Sequence, residues 1–145
     1  MDYRVERLRT PAECEIFAQN ATARNHPELA LEARRKAIYL KASAHETQTP
    51  VEAEALVAVY AYEALLTRKN GKKTRATSTW QAIKRYGIIE AVQRAVSQPP
   101  AKAGEVALRD LGLEDLGFEA LVLRHEASFS DAAVSTSRAR LAEAA

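Results

Sequence analysis

The sequence predicts an all-α fold: a single compact domain of seven or eight helices packed around one central, buried helix. Three observations predict it. Only five glycines and five prolines interrupt the 145 residues, and alanine, the best helix former, recurs throughout. No run of alternating Val, Ile and Thr reads as a strand. The pattern Thr-Pro-x-Glu occurs at Thr10–Glu13 and again at Thr49–Glu52. It puts a capping residue, a proline at the first helical position and a glutamate two further on, which marks a helix start.

Residues 1–9 are short and polar and read as an N-terminal arm or a loose first turn. A helix follows from Pro11 to about Ala23, burying Cys14, Phe17, Ala18 and Ala21. Asn25-His26-Pro27 breaks it, with His26 as a local cap. The next helix, Pro27 to about Ser43, buries Ala30, Ala33, Ala37 and Leu40 and exposes Glu32, Arg35 and Lys36. Residues 10–44 therefore make a helical hairpin with a short loop. One such unit does not make a repeat array, which needs about three.

Residues 49–97 are expected to hold the organising helix, a basic loop and a pair of short helices. The first of these, Pro50 to about Lys69, is apolar around more than half its circumference, as a helix with neighbours on several faces must be. Gly71 stops it by taking a positive φ. Thr77, Ser78 and Thr79 are each suited to cap a short helix carrying Trp80, Ile83 and Tyr86. Gly87 ends that helix and Ile88 opens another, with Ile89, Val92 and Val96 on one face. The outline is helix-turn-helix-like, and the second helix would present Glu90, Gln93, Arg94 and Ser97 outward. Gln98-Pro99-Pro100 is a strong break. Beyond it, residues 101–145 read as acidic C-terminal helices: Gly104–Leu111, Glu114–Arg124 and a last one capped by Ser130.

Net charge is only +2, and its distribution says more than its size. Between Leu66 and Gly87 stand seven bases and no acid (Arg68, Lys69, Lys72, Lys73, Arg75, Lys84, Arg85). Between Ala101 and Asp131 seven acids face three bases, so the two regions differ in sign. Cys14 is the only cysteine. No internal disulfide can form, and a reducing, cytoplasmic setting is expected. The start MDYRVERLR lacks the apolar core of a signal peptide, and no run reaches the length needed to cross a bilayer.

The basic stretch carries the main functional expectation, a non-enzymatic nucleic-acid-binding module, with DNA ahead of RNA as partner. Lys69, Lys72, Lys73, Arg75, Lys84 and Arg85 would hold phosphates, giving affinity that falls with salt. Thr77, Ser78 and Thr79 would present helix-start amides, which favour an anion. Trp80 and Tyr86 could stack on bases, although a large aromatic such as Trp80 is more often part of a core.

The alternative is a helical protein-interaction or adaptor domain, an accessory subunit whose hairpin or acidic C-terminal third (Glu114, Asp115, Glu119) docks a partner. An enzyme is least supported. There is no phosphate-binding glycine loop, dinucleotide turn or nucleophile elbow. His26, His45 and His125 lack the spacing of a zinc site, and Cys14 lies on an apolar helix face. No cofactor, metal or catalytic residue is expected.

Overall fold

Thr10 and Thr49 both stand as helix caps. Thr10 Oγ1 accepts the Glu13 N–H at 3.1 Å, and Thr49 Oγ1 accepts the Glu52 N–H at 3.2 Å. The glutamates reach back past the cap residue itself: Glu13 accepts the Arg9 N–H and Glu52 the Gln48 N–H.

The computed structural model describes residues 2–98 and 107–144. They form α1 (Tyr3–Glu6), α2 (Pro11–Ala23), α3 (Pro27–Ser43), α4 (Pro50–Asn70), α5 (Thr77–Tyr86), α6 (Ile88–Ser97), α7 (Phe118–Arg124) and α8 (Asp131–Ala144). A helical turn at 107–110 and 3-10 turns at Glu114–Leu116 and Glu126–Ser128 complete them. Among the described residues there is no strand, and no helix is long and apolar enough to cross a membrane. The helical segments outnumber the seven or eight expected: Tyr3–Glu6 adds one turn, and Gly117 divides 114–124 in two. Pro99, Pro100, Lys102, Glu105 and the start of the helix expected from Gly104 lie outside the described residues. The chain divides into two compact units, Met1–Glu46 and Thr47–Ala145.

In the first unit, α2 ends on Asn25, whose φ is 64. The His26 N–H then bonds the Ala21 carbonyl at 2.8 Å, a Schellman-type ending. The His26 side chain makes no cap bond, so its expected capping role passes to its backbone. Ala18 and Ala21 pack with Ala30 and Ala33, flanked by Leu8, Phe17 and Leu29. Farther along α3, Ile38 and Ala42 are buried, whereas Leu40 is only half-buried.

Residues 2–9 contain one helical turn, α1, and it is docked. Val5 is fully buried, and Asp2 caps α1 by accepting the Arg4 N–H at 2.9 Å. Two α3 side chains expected to be exposed hold this segment. Glu32 accepts the Asp2 N–H at 3.2 Å, and Lys36 Nζ donates to the Val5 carbonyl at 3.0 Å and to that of Glu6. The last carbonyls of a helix have no partner within it, so Lys36 meets a need that the pattern of α3 alone does not reveal.

In the second unit, α4 buries Ala55 through Val59 and Ala61, while Val51, Tyr62, Leu65 and Leu66 stay partly exposed. Ala55 and Ala58 share one core with Val92 and Val96 of α6, Leu121 and Val122 of α7, Phe129, and Ala133 of α8. Gly71, with φ 71, closes α4 by donating to the Thr67 carbonyl at 2.9 Å. Gly87 serves two helices: its N–H ends α5 on the Ile83 carbonyl, and its own carbonyl takes the Ala91 N–H of α6.

Polar groups tie this core together. Arg140 of α8 pairs with Glu119 of α7 at 3.1 Å, both side chains 12–13% exposed, and Arg140 also donates to the Gln98 carbonyl. Glu54 of α4 takes both Arg124 at 3.2 Å and His125 at 2.5 Å. Glu119 is therefore an internal group and is not part of a solvated acidic face.

Candidate nucleic-acid interface

α5 has no buried residue. It lies on the surface of the second unit, joined to α4 by the basic loop at residues 71–76. That loop is held at several points by neutral and acidic side chains. The Thr74 N–H donates to Thr67 Oγ1 at 3.0 Å, Asn70 Nδ2 donates to Thr74 Oγ1 at 3.2 Å, and Thr74 Oγ1 donates to the Lys72 carbonyl at 2.8 Å. Lys72 and Lys73 stand exposed on this fixed backbone. Among the described residues, Lys69, Lys72, Lys73 and Lys84 make no ion pair with a carboxylate.

Glu63 is the residue that sequence reasoning missed. One turn before the end of the apolar part of α4, its Oε2 accepts the Ala76 N–H at 2.8 Å and the Trp80 indole N–H at 2.6 Å. Arg75 Nε lies 3.8 Å from the same oxygen. The run from Leu66 to Gly87 holds no acid along the chain, yet in space this carboxylate sits at the start of α5. Its spacing gave no signal: Glu63 is one charge on a mostly apolar helix, and its partners come 13 and 17 residues later.

Glu63 also corrects the start of α5. The helix begins at Thr77 with Ala76 as its cap residue, and no side chain makes a cap bond. Thr77, Ser78 and Thr79 are thus first-turn residues and not caps. The cross-helix carboxylate takes the N–H of the cap residue itself, the bond that a glutamate inside the helix makes in a capping box. A cavity of ≈ 230 Å³ lies over this turn, lined by Tyr62, Leu66 and residues 75–79.

The two aromatics have different surroundings. Trp80 is half-buried, its ring 5.3 Å from that of Tyr60, with the Arg75 guanidinium 5.5 Å from the ring centroid. Burial raises the Tyr60 pKa, and Glu63 adds to the rise. Tyr86 is exposed and lies between two guanidinium groups, Arg94 at 3.7 Å and Arg85 at 5.4 Å from its centroid. These are cation–π distances. The basic loop and this Arg–Tyr–Arg cluster sit at opposite ends of α5.

Arg94 and Ser97 of α6 are exposed, as the helix-turn-helix outline suggests, but Gln93 is held within the fold. Gln93 Oε1 accepts the Ser130 N–H at 2.7 Å, and its Nε2 donates to Glu90 at 2.8 Å. Ser97 Oγ bonds back to the Gln93 carbonyl at 2.7 Å. Arg94 pairs with Glu90 at 3.4 Å. Gln93 anchors the start of α8, so it is not available to a ligand.

Among the described residues, no group of three His, Cys, Asp or Glu side chains converges as a metal site would require. His125 meets Glu54 and not the acids at 110–119. Cys14 is buried in the first unit, and its burial raises the thiol pKa.

No protein family, curated protein or solved structure matches this chain.

Proposed function

We propose that this chain is a non-enzymatic nucleic-acid-binding module, with DNA ahead of RNA as its ligand. One observation carries the reading. The exposed cations Lys69, Lys72, Lys73, Lys84 and Arg85 border a surface helix that itself contains no acid, a concentration of one sign that suits a polyanion. These residues, with the exposed remainder of Arg75, contact phosphates. The first-turn amides of Thr77, Ser78 and Thr79 favour the same charge. In this reading Trp80 shapes the surface from within, Tyr86 and its two arginines are the aromatic contact, and α4 is the rod around which the second unit packs. The chain acts in the cytoplasm without a cofactor.

Anisotropy of labelled DNA and RNA at several salt concentrations tests the reading. Log affinity is expected to fall linearly with log salt, by about 0.9 for each phosphate neutralised on a duplex. Lys72→Glu with Lys73→Glu removes binding and leaves the far-UV circular dichroism intact. No binding at low salt would overturn the reading.

A second reading, a helical protein-interaction or adaptor domain, is favoured by Tyr3, Ile16 and Tyr39, large apolar side chains exposed on the first unit. It predicts a defined protein partner, lost on substitution of Ile16 and Tyr39 by Ser.

A further inference from the structure

We infer that α5 is the helix that enters the major groove of duplex DNA, with Gln81 and Arg85 reading base edges. This rests on the nucleic-acid reading above and deepens it, naming the form of the ligand and the residues that discriminate sequence, and it moves Arg85 from the phosphates to a base edge.

Besides Tyr86 at its C-terminal end, exposure on α5 falls on Thr77, Ser78, Gln81, Lys84 and Arg85. That is the i, i+1, i+4, i+7, i+8 pattern of one continuous helix face. Behind it, Thr79, Trp80, Ala82 and Ile83 are half-buried. The ten residues of α5 give a rod about 15 Å long, and the major groove, about 12 Å wide, admits an α-helix. Gln81 and Arg85 stand four residues apart, so their Cβ atoms lie about 6 Å from each other. Glutamine pairs bidentately with adenine and arginine with guanine in that groove. Cations flank the face at both ends, Lys72 and Lys73 before it and Arg94 after it, where the groove walls carry phosphates.

The other helix of the pair is unsuited to this task, because Gln93 is held by Ser130 and Glu90. A single strand fits less well. Binding of single strands draws on free aromatic faces, whereas the Trp80 N–H is tied to Glu63 and Arg94 lies 3.7 Å from the Tyr86 ring. Duplex RNA has a major groove too deep and narrow for a helix.

The test selects bound sequences from randomised duplex DNA with the full chain. Anisotropy then compares the selected duplex, the randomised duplex, the same sequence as duplex RNA, and each single strand. The expected result is an enriched motif bound more tightly than the other four probes. Gln81→Ala and Arg85→Ala each cut the preference for it about ten-fold. Lys73→Ala weakens all duplexes equally. Both reading residues are exposed, and unchanged circular dichroism checks that the variants fold. If randomised duplex binds but no motif emerges, the inference fails and nucleic-acid binding stands. The same holds if both substitutions leave the motif's advantage intact, or if single strands or duplex RNA bind tighter. If no nucleic acid binds at low salt, both fail.

Discussion

Glu63 Oε2 accepts the indole N–H of Trp80 at 2.6 Å, across 17 residues of sequence. The same oxygen takes the Ala76 N–H at 2.8 Å, so one side chain fixes both where α5 begins and which way its tryptophan points. Its side chain is 13% exposed, and removing it takes away the acceptor of both bonds. Glu63→Ala is expected to lower unfolding free energy by about 2–3 kcal/mol, in line with hydrogen bonds to a charged acceptor. It should also shift Trp80 emission to the red. Urea denaturation followed by fluorescence checks both, and unchanged stability would remove Glu63 from this role.

The ion pairs of the second unit differ in burial, and their contributions should differ with it. Glu119 and Arg140 are nearly enclosed, whereas Glu126 and Arg138 are 50% and 65% exposed. Glu119→Ala strands an arginine in a low-dielectric setting and is expected to cost about 3 kcal/mol. Glu126→Ala should cost under about 1 kcal/mol, and less still in high salt. Parallel denaturation curves at low and high salt decide the comparison.

Ser137 is fully buried on α8, and its hydroxyl has no hydrogen-bond partner among the described residues. Ser137→Ala removes that polar group and adds helix propensity. We expect a gain of about 1 kcal/mol, a rise in melting temperature of a few degrees. A loss on thermal denaturation would mean the hydroxyl is satisfied after all.

Burial raises the Cys14 thiol pKa and the Tyr60 phenol pKa. For both, the proton leaves the unfolded chain first as pH rises, so the native state binds more protons there. The stability each contributes is complete below its unfolded value, about 8.5 for Cys and about 10 for Tyr. It is lost as pH climbs through the higher folded value. Stability should therefore decline from about pH 8.5 upward. Cys14 should resist a thiol-labelling reagent in the native protein and react at once in denaturant. Fast native labelling would contradict its burial.

Most of the helical framework was legible in the sequence, because its signals are local. Thr10-Pro11 and Thr49-Pro50 start helices through bonds that span three residues, and Gly71 and Gly87 end them at positive φ. The core face of α6 followed from the spacing of Val92 and Val96. The docking of residues 2–9 was not legible because one valine carries no periodicity, and what docks them, Glu32 and Lys36, lies about thirty residues on. The candidate interface was legible as composition: Lys72, Lys73, Lys84 and Arg85 are exposed, as basic residues in a loop and on a surface helix should be. Its roles were not. Gln93 looks available along the chain and Trp80 reads as stacker or core, and both are held by groups from other elements.

The amino-acid sequence by itself determined that this chain is helical, where its main helices begin and stop, and that its positive charge gathers between Arg68 and Arg85. Each follows from interactions within a turn or two of helix, or from counting. Only the tertiary structure decided that Glu63 holds Ala76 and Trp80 at the start of α5, that Glu119 is internal, and that α5 turns its polar face outward while α6 holds Gln93 against Ser130. Those outcomes depend on carboxylates and amides meeting donors from distant segments. A buried or part-buried polar group must find a partner somewhere, but the sequence does not say which one will be near.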